Sequence, residues 1–337
     1  MTPSRQSRAV RRFTLVAIIV PLVLTSASVA VQLAVLSDVP STIAIHWNAA
    51  GDPDGFGPAW TQPLMTLAVG LGIPLLIALS SLPGLRRGDR GPTYRLMGAL
   101  AAAVSALSSV LFAWMLVAQR GLTDPADAPS VLPGLGVAFA AAALVGVGAW
   151  FVQPDEPVRN VTSAPAPSLR LAPGEQAAWF GTAVLGRAAA IIIGVTCAAV
   201  IATALLVWFS GAPASVAILI GGLALLLTVL AATTTVFHVR VDAAGLTVVA
   251  PVGFPRFRVA LSDVRDVTVA EVSPMGEFGG YGIRSAVGAF GVVLRRGPAI
   301  SVTRTSGKRF VVTVDDAERG AALLQALVAR ESAVSGA

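Results

Sequence analysis

The sequence predicts an α-helical integral membrane bundle of about six transmembrane helices, completed by a C-terminal β-barrel or sandwich with one closing helix. Three observations carry this expectation. The 337 residues are 55% hydrophobic and only 12% charged, with a mean hydropathy of +0.77, which is more apolar surface than a soluble core can bury. The excess comes in long uncharged runs between Phe13 and Phe237, whereas nearly every later window carries an Arg, Asp or Glu. Past Phe237 the apolar period changes from helical to alternating, as half-buried strands require.

A bilayer core of roughly 30 Å takes about 20 apolar residues in helix. The runs that meet this length are Phe13 to Leu36, Leu64 to Leu82, Leu96 to Ala118, Val131 to Val152, Ala188 to Phe209 and Ala214 to Phe237. None contains Asp, Glu, Lys, Arg or His, each of which would cost roughly 2.5–3.5 kcal/mol at mid-membrane. All are expected to insert. The first run, with its basic start and Ser28-Val29-Ala30, shares features with a cleavable signal peptide, but it continues to Leu36, beyond a typical signal core. Without an ionisable pair in any span, no proton or ion relay is visible. Gly70, Gly72, Gly134, Gly146, Gly148, Gly221 and Gly222 read as sites of close helix packing.

Arginines set the expected orientation. The N-terminal segment 1–12 carries Arg5, Arg8, Arg11 and Arg12; the second connection carries Arg86, Arg87, Arg90 and Arg95; the fourth carries Arg159, Arg170 and Arg187. These are expected inside. The first connection, 37–62, has Asp38, Asp52 and Asp54 but no basic residue, the third has only Arg120, and the fifth is the short turn 210–213. These are expected outside, which leaves both termini cytoplasmic. The net charge of +6 therefore reads as membrane topology and not as a nucleic-acid signal. Trp60, Trp150, Trp179 and Trp208 fall near span ends, where their rings favour the interface.

The organisation that follows is a helix pair over 13–82 with its outer loop, a second hairpin over 83–152, a cytoplasmic linker over 153–187, a third hairpin over 188–237 and a cytoplasmic domain over 238–337. Within the linker, Ala164-Pro165-Ala166-Pro167 has extended composition and Pro173-Gly174 reads as a turn. Glu175 to Leu185 is expected to form a short interfacial helix anchored by Trp179 and Phe180. The sequon Asn160-Val161-Thr162 is discounted as cytoplasmic. Cys197, the sole cysteine, excludes an intrachain disulfide and a Cys-based zinc site. Lys308, the sole lysine, fits a GC-rich bacterial genome and hence a bacterial plasma membrane.

In the last domain Phe237, Val239 and Val241 alternate with His238, Arg240 and Asp242. Further strands are expected over Leu246 to Ala250, Arg256 to Leu261, Val264 to Val272, Gly288 to Arg295, Ala299 to Arg304 and Arg309 to Val314. Thr305-Ser306-Gly307-Lys308 makes the last two a hairpin. Asp315 and Glu318 then open a helix whose apolar face is Leu323, Leu324, Leu327 and Val328. Roughly seven strands and one closing helix resemble a bacterial pleckstrin-homology-like module.

The most distinctive segment is the outer loop. Ile43, Ile45 and Trp47 alternate with Ala44 and His46, followed by turn chemistry at Asn48 to Gly51 and at Asp52 to Gly55. Pro40, Ile43, His46, Trp47, Asn48, Gly51, Asp54 and Phe56 resemble the pattern of the domain of unknown function 1648, found in SdpI-type membrane immunity proteins, with Ala44 where a second Pro is expected. That resemblance covers the first two spans and their loop. It implies an envelope protein that protects against a peptide toxin and holds a cytosolic repressor at the membrane.

Independently of the family, His46, Trp47, Asn48, Gly51, Asp52, Asp54 and Phe56 form a candidate site for an extracytoplasmic peptide or other ligand. The same residues also suit a compact loop packing Trp47 and Phe56 on the helix ends. A metal site is disfavoured, since a metal-linked His usually comes with further partners, and Asp52-Pro53-Asp54-Gly55 lacks the remaining ligands of a calcium loop. His238 reads as a solvated strand residue. Gly276, Gly279, Gly280 and Gly282 around Phe278 and Tyr281, followed by Arg284, read either as a mobile loop or as a contact for a cytoplasmic protein partner. Arg256, Arg258, Arg295 and Arg296 could meet anionic lipid, although interleaved acids fit an ordinary solvated face equally. No cofactor, catalytic group or nucleic-acid partner is expected. The function expected is that of a noncatalytic membrane protein of the sensing, immunity-like or regulatory class, with a structural scaffold as the alternative and a transporter or intramembrane enzyme further off.

Overall fold

The computed structural model describes residues 3–158, 163–172, 174–209 and 214–335. The expected sequon, the Pro173 half of the expected turn and the connection 210–213 lie outside these. The chain divides into two compact units, Met1–Val158 and Arg159–Ala337.

The first unit holds four helices long and apolar enough to cross a membrane: α1 (Arg8–Asp38), α2 (Thr61–Arg86), α3 (Pro92–Val117) and α4 (Leu132–Val152). Both α1 and α2 contain a five-residue π turn, Leu15–Ile19 and Ala68–Gly72, shortly before Pro21 and Pro74. A proline inside a helix removes one hydrogen bond and crowds the carbonyl four residues back, and a wider turn accommodates both. Helix α3 is the axis of this bundle. Its buried face is small, with Gly98, Ala99, Ala101, Ala102, Ser105, Ala106, Ser108 and Ser109, so α1, α2 and α4 approach it closely. A hairpin of β1 (Thr42–Trp47) and β2 (Pro53–Pro58) links α1 to α2.

The second unit opens with β3 (Ser163–Pro165) and β4 (Trp179–Val184), then α5 (Arg187–Phe209) and α6 (Ala214–Thr234). Among the described residues these two helices bring to six those with span character, and together they mark a multi-pass membrane protein. The chain continues as β5 (Val236–Asp242), β6 (Gly245–Val249), β7 (Arg256–Val259), β8 (Val264–Val272), the single turn α7 (Pro274–Glu277), β9 (Gly282–Ala286), β10 (Ala289–Val293), β11 (Gly297–Arg304), β12 (Arg309–Thr313) and α8 (Ala317–Ser335).

The expected barrel does not close. A four-stranded sheet, β4-β5-β6-β7, and a six-stranded sheet, β3-β8-β11-β12-β10-β9, are two separate hydrogen-bonded layers. They share one core. Phe237, Val239, Leu246 and Val248 enter it from the smaller sheet, Val267, Ile300, Val302 and Val312 from the larger, and Leu324 and Leu327 from α8.

Two further expectations are corrected. Glu175 to Leu185 is not an interfacial helix: its second half is strand β4, where Gly181 and Ala183 lie inward of exposed Phe180, Thr182 and Val184. Pairing of β4 along its full length with β5 overrides the local aromatic signal. The stretch 153–187 is accordingly more than a linker, because it supplies β3 and β4, and the β unit begins before the α5–α6 hairpin. Phe237, expected both at the end of a span and at the start of a strand, belongs to the strand and is fully buried.

The β8 and β11 ends are fastened by Asp263. Its carboxylate accepts from the Thr305 hydroxyl at 2.7 Å and from Arg304 Nε at 2.6 Å. The Thr305 hydrogen bond first, then Arg304, hold this carboxyl below its ordinary value of 3.8. A depressed folded value means that the stabilisation is complete above the unfolded value and is lost as pH falls through the folded one. Asp263→Asn is expected to flatten the acid limb of a stability–pH curve of the full-length protein below about pH 4, followed by circular dichroism in detergent.

Candidate functional site

The β1–β2 hairpin pairs Ile43 with Gly57, Ala44 with Phe56 and His46 with Gly55, with irregularities on both sides of His46. Such bulges re-aim side chains, and they split the hairpin into an inward and an outward part. Ile43 and Ala44 are fully buried. The side chain of Gln119, just past the end of α3, satisfies both main-chain groups of Ala44: Oε1 accepts from the Ala44 amide at 2.7 Å and Nε2 donates to its carbonyl at 3.0 Å. Nε2 also donates to the Met115 carbonyl at 2.8 Å, so Gln119 acts as a short extra strand fixed to the bundle. Arg120 pairs with Asp38 at 2.7 Å, and the Gly121 amide donates to the Asp38 carbonyl at 2.8 Å.

The tip is equally fixed. Trp47 donates from Nε1 to the Pro129 carbonyl at 3.0 Å. Asn48 Oδ1 accepts from the amides of Ala50 and Asp52, which closes the turn. Gly51 has φ +91°, and a Cβ there would meet Ser130 Oγ at 2.6 Å, so both conformation and space require glycine. On the outward side His46 Nδ1 meets Asp54 Oδ1 at 2.5 Å, with side chains 70% and 43% exposed. Ile45 and Phe56 on the strands and Trp60 just past β2 are also exposed.

Of the seven candidate residues, then, Trp47, Asn48 and Gly51 form the frame of the hairpin. His46 and Asp54 are presented to solvent as a pair, while Phe56, opposite Ala44, and Asp52, at the turn, are each exposed. Chemically the hairpin offers an exposed, hydrogen-bonding imidazole–carboxylate pair and, separately, exposed apolar side chains, two kinds of contact that a peptide or small amphiphile can use.

Below the hairpin a polar seam runs between α1, α2 and α3. Gln32, fully buried, donates from Nε2 to Ser28 Oγ at 3.0 Å and to Thr66 Oγ1 at 2.7 Å. Ser28 donates to the Ser109 carbonyl at 2.6 Å, and Thr25 meets Ser105 at 3.3 Å. A Cβ on Gly70 would lie 2.9 Å from Thr25 Oγ1 and 3.1 Å from Ser108 Oγ, so a side chain there would crowd the seam. At the opposite end of the bundle Arg90, almost fully buried, pairs through Nε with Glu156 at 2.6 Å and donates to the Leu85 carbonyl at 3.0 Å. Arg95 stacks on Trp150 at 4.4 Å and donates to its carbonyl.

Residues 23–71 match the family model of a domain of unknown function, DUF1648. The DUF1648 segment thus includes Thr25, Ser28, Gln32, the entire hairpin, Thr66 and Gly70, and its partners Ser105, Ser109 and Gln119 are supplied from outside it by α3 and its end. No match to the chain was found among curated proteins or among solved structures.

The candidate partner-binding residues of the β unit fare differently. Phe278 is buried, packed with Ala270, Val272, Ala289, Val293, Ala299 and Val311, and so offers no contact surface. The glycines around it allow α7 and β9 to form, and tertiary packing takes the aromatic ring inward. Tyr281 is half-buried against the main core, and Arg284, exposed on β9, donates from Nε to the Tyr281 carbonyl at 2.8 Å. His238 is exposed on β5. Sequence reasoning passed over Gln119 and Glu156, whose partners are far away in the chain; a polar residue just past the end of a span was the one signal available.

Proposed function

We propose that this chain is a noncatalytic multi-pass protein of a bacterial plasma membrane, of the sensing, immunity-like or regulatory class. Its hairpin faces the extracytoplasmic side and receives a peptide or small amphiphilic ligand, while the β unit lies in the cytoplasm and engages a protein partner. The observation that carries this reading is the division of labour in the hairpin. Gln119, Trp47 and Asn48 hold it rigid, and His46, Asp54 and Phe56 are left exposed on a pre-organised frame, which lowers the ordering penalty of binding. The charge distribution supports the orientation, since the arginines of the N-terminal segment and of the second connection fall at the end of the first unit's bundle opposite the hairpin. The resemblance of the hairpin residues to the pattern of SdpI-type immunity proteins supports the immunity-like part of this reading, and the strand order followed by a closing helix supports a pleckstrin-homology-like reading of the β unit.

The test compares strains producing His46→Ala or Phe56→Ala protein with wild type, measuring membrane abundance and survival under envelope-active peptides. Unchanged abundance with a several-fold altered response is expected. A fall in abundance with no change in response would instead favour a structural scaffold, a reading that the almost wholly exposed apolar surfaces of α5 and α6 also support, because they leave room for other helices.

A further inference from the structure

Strand directions give every turn of the four-stranded sheet a level relative to the spans. Helix α6 ends at Thr234 and β5 begins at Val236, opposite Val184, the last residue of β4, which leads into α5 at Arg187. Strand β5 runs away from this junction and β6 returns to it, so that His238 lies opposite Val249 and Val249 opposite Arg256. The β6–β7 turn, residues 250–255, is therefore at the same end of the sheet as the bases of both helices. The His238–Val249–Arg256 row is two residues beyond the junction, about 7 Å at the usual strand rise. The headgroup layer on one side of a bilayer is roughly 5–8 Å deep.

That turn is apolar and fully presented. Val252 and Phe254 are 70% and 79% exposed, on a loop closed by hydrogen bonds from the Ala250 amide to the Pro255 carbonyl at 3.0 Å and from the Gly253 amide to the Ala250 carbonyl at 2.8 Å. Arg256 is exposed in that row and Arg187 is exposed at the start of α5 on the other side of the junction, and among the described residues neither forms an ion pair. The acid Asp315, at that end too, is taken up by Arg295.

We propose that the β6–β7 turn is an interfacial anchor, with Val252 and Phe254 inserted at the headgroup–acyl boundary and Arg256 and Arg187 against lipid phosphates. Covalent continuity with α5 and α6 selects lipid as the occupant: whatever bilayer holds those helices brings its surface to the turn. Lipid meets the turn in this way whichever side of the membrane the β unit occupies.

The test uses full-length Cys197→Ser protein in nanodiscs of mixed zwitterionic and anionic lipid, with an environment-sensitive fluorophore on Phe254→Cys. Val287→Cys is the comparator, because Val287 is fully exposed and precedes β10, whose far end meets Gly186. The label at 254 should emit to the blue of the label at 287 and be quenched several-fold more by lipid spin-labelled near the headgroups. Equal emission and quenching at the two positions would overturn the proposal. Adding Arg256→Glu should lower quenching at 254 at least about twofold in anionic discs and less in zwitterionic ones; no change would remove the phosphate contact. Should Phe254→Cys fail to fold by circular dichroism, Val252→Cys gives the same readout.

Discussion

Replacing Gln119 by leucine should release the hairpin from the bundle. The substitution keeps side-chain volume but strands the amide and carbonyl of fully buried Ala44, at about 1–3 kcal/mol for each unpaired group. A maleimide that fails to label Ile43→Cys in a Cys197→Ser background should label it readily once Gln119→Leu is added, and the melting temperature in detergent should fall. Gln119→Glu should not restore protection, because a carboxylate accepts from the Ala44 amide but cannot donate to the Ala44 and Met115 carbonyls. If labelling stays at the wild-type level in both variants, Gln119 is not what holds the hairpin.

Removing Glu156 should have the other large effect. Arg90 is 3% exposed and Glu156 17%, so Glu156→Ala leaves a guanidinium in a desolvated site without its nearest countercharge, and breaking such a pair costs about 3–5 kcal/mol. The neighbouring Asp155–Arg95 pair is the internal control. Asp155 is 81% exposed and 3.4 Å from its partner, and a solvated pair of this kind contributes about 0–1 kcal/mol. The expected order of thermal stability in detergent is therefore wild type close to Asp155→Ala, both well above Glu156→Ala. The double change Arg90→Met with Glu156→Leu should recover much of the loss, because it removes the orphaned charge along with its partner. Equal melting of Glu156→Ala and Asp155→Ala would contradict this account.

The spans were legible in the sequence because a bilayer imposes one length and one polarity on each, and an uncharged run of the right length has little else to become. Strands β5 to β8 and the β11–β12 hairpin were legible from alternation, with Val264–Val272 found residue for residue. Trp179 and Phe180 misled because an aromatic pair beside a span has an interfacial meaning, while the partner that makes them a strand, β5, comes only after the intervening helices. Phe278 misled for a related reason: glycines on both sides read as a solvated loop, and nothing local shows that β8, β10, β11 and β12 surround the ring. In the hairpin, the pattern from His46 to Phe56 was readable as a unit. Its division into Trp47, Asn48 and Gly51 as framework and His46, Asp54 and Phe56 as surface was not, since that depends on Gln119, Pro129 and Ser130 reaching across from other connections.

Strands β4 and β5 are neighbours joined by a membrane hairpin in place of a turn, with the Leu185 amide donating to the Thr235 carbonyl at 2.9 Å where the two helices leave the sheet. This gives biogenesis a fixed order. As the chain is synthesised, β3 and β4 emerge first and have no partner until α5 and α6 have inserted and β5 to β8 have followed, so maturation of the β unit is gated by the insertion machinery. A fault in inserting either helix would leave an unpaired strand exposed to proteolysis, and quality control of the membrane segment would extend to the β layers built on it.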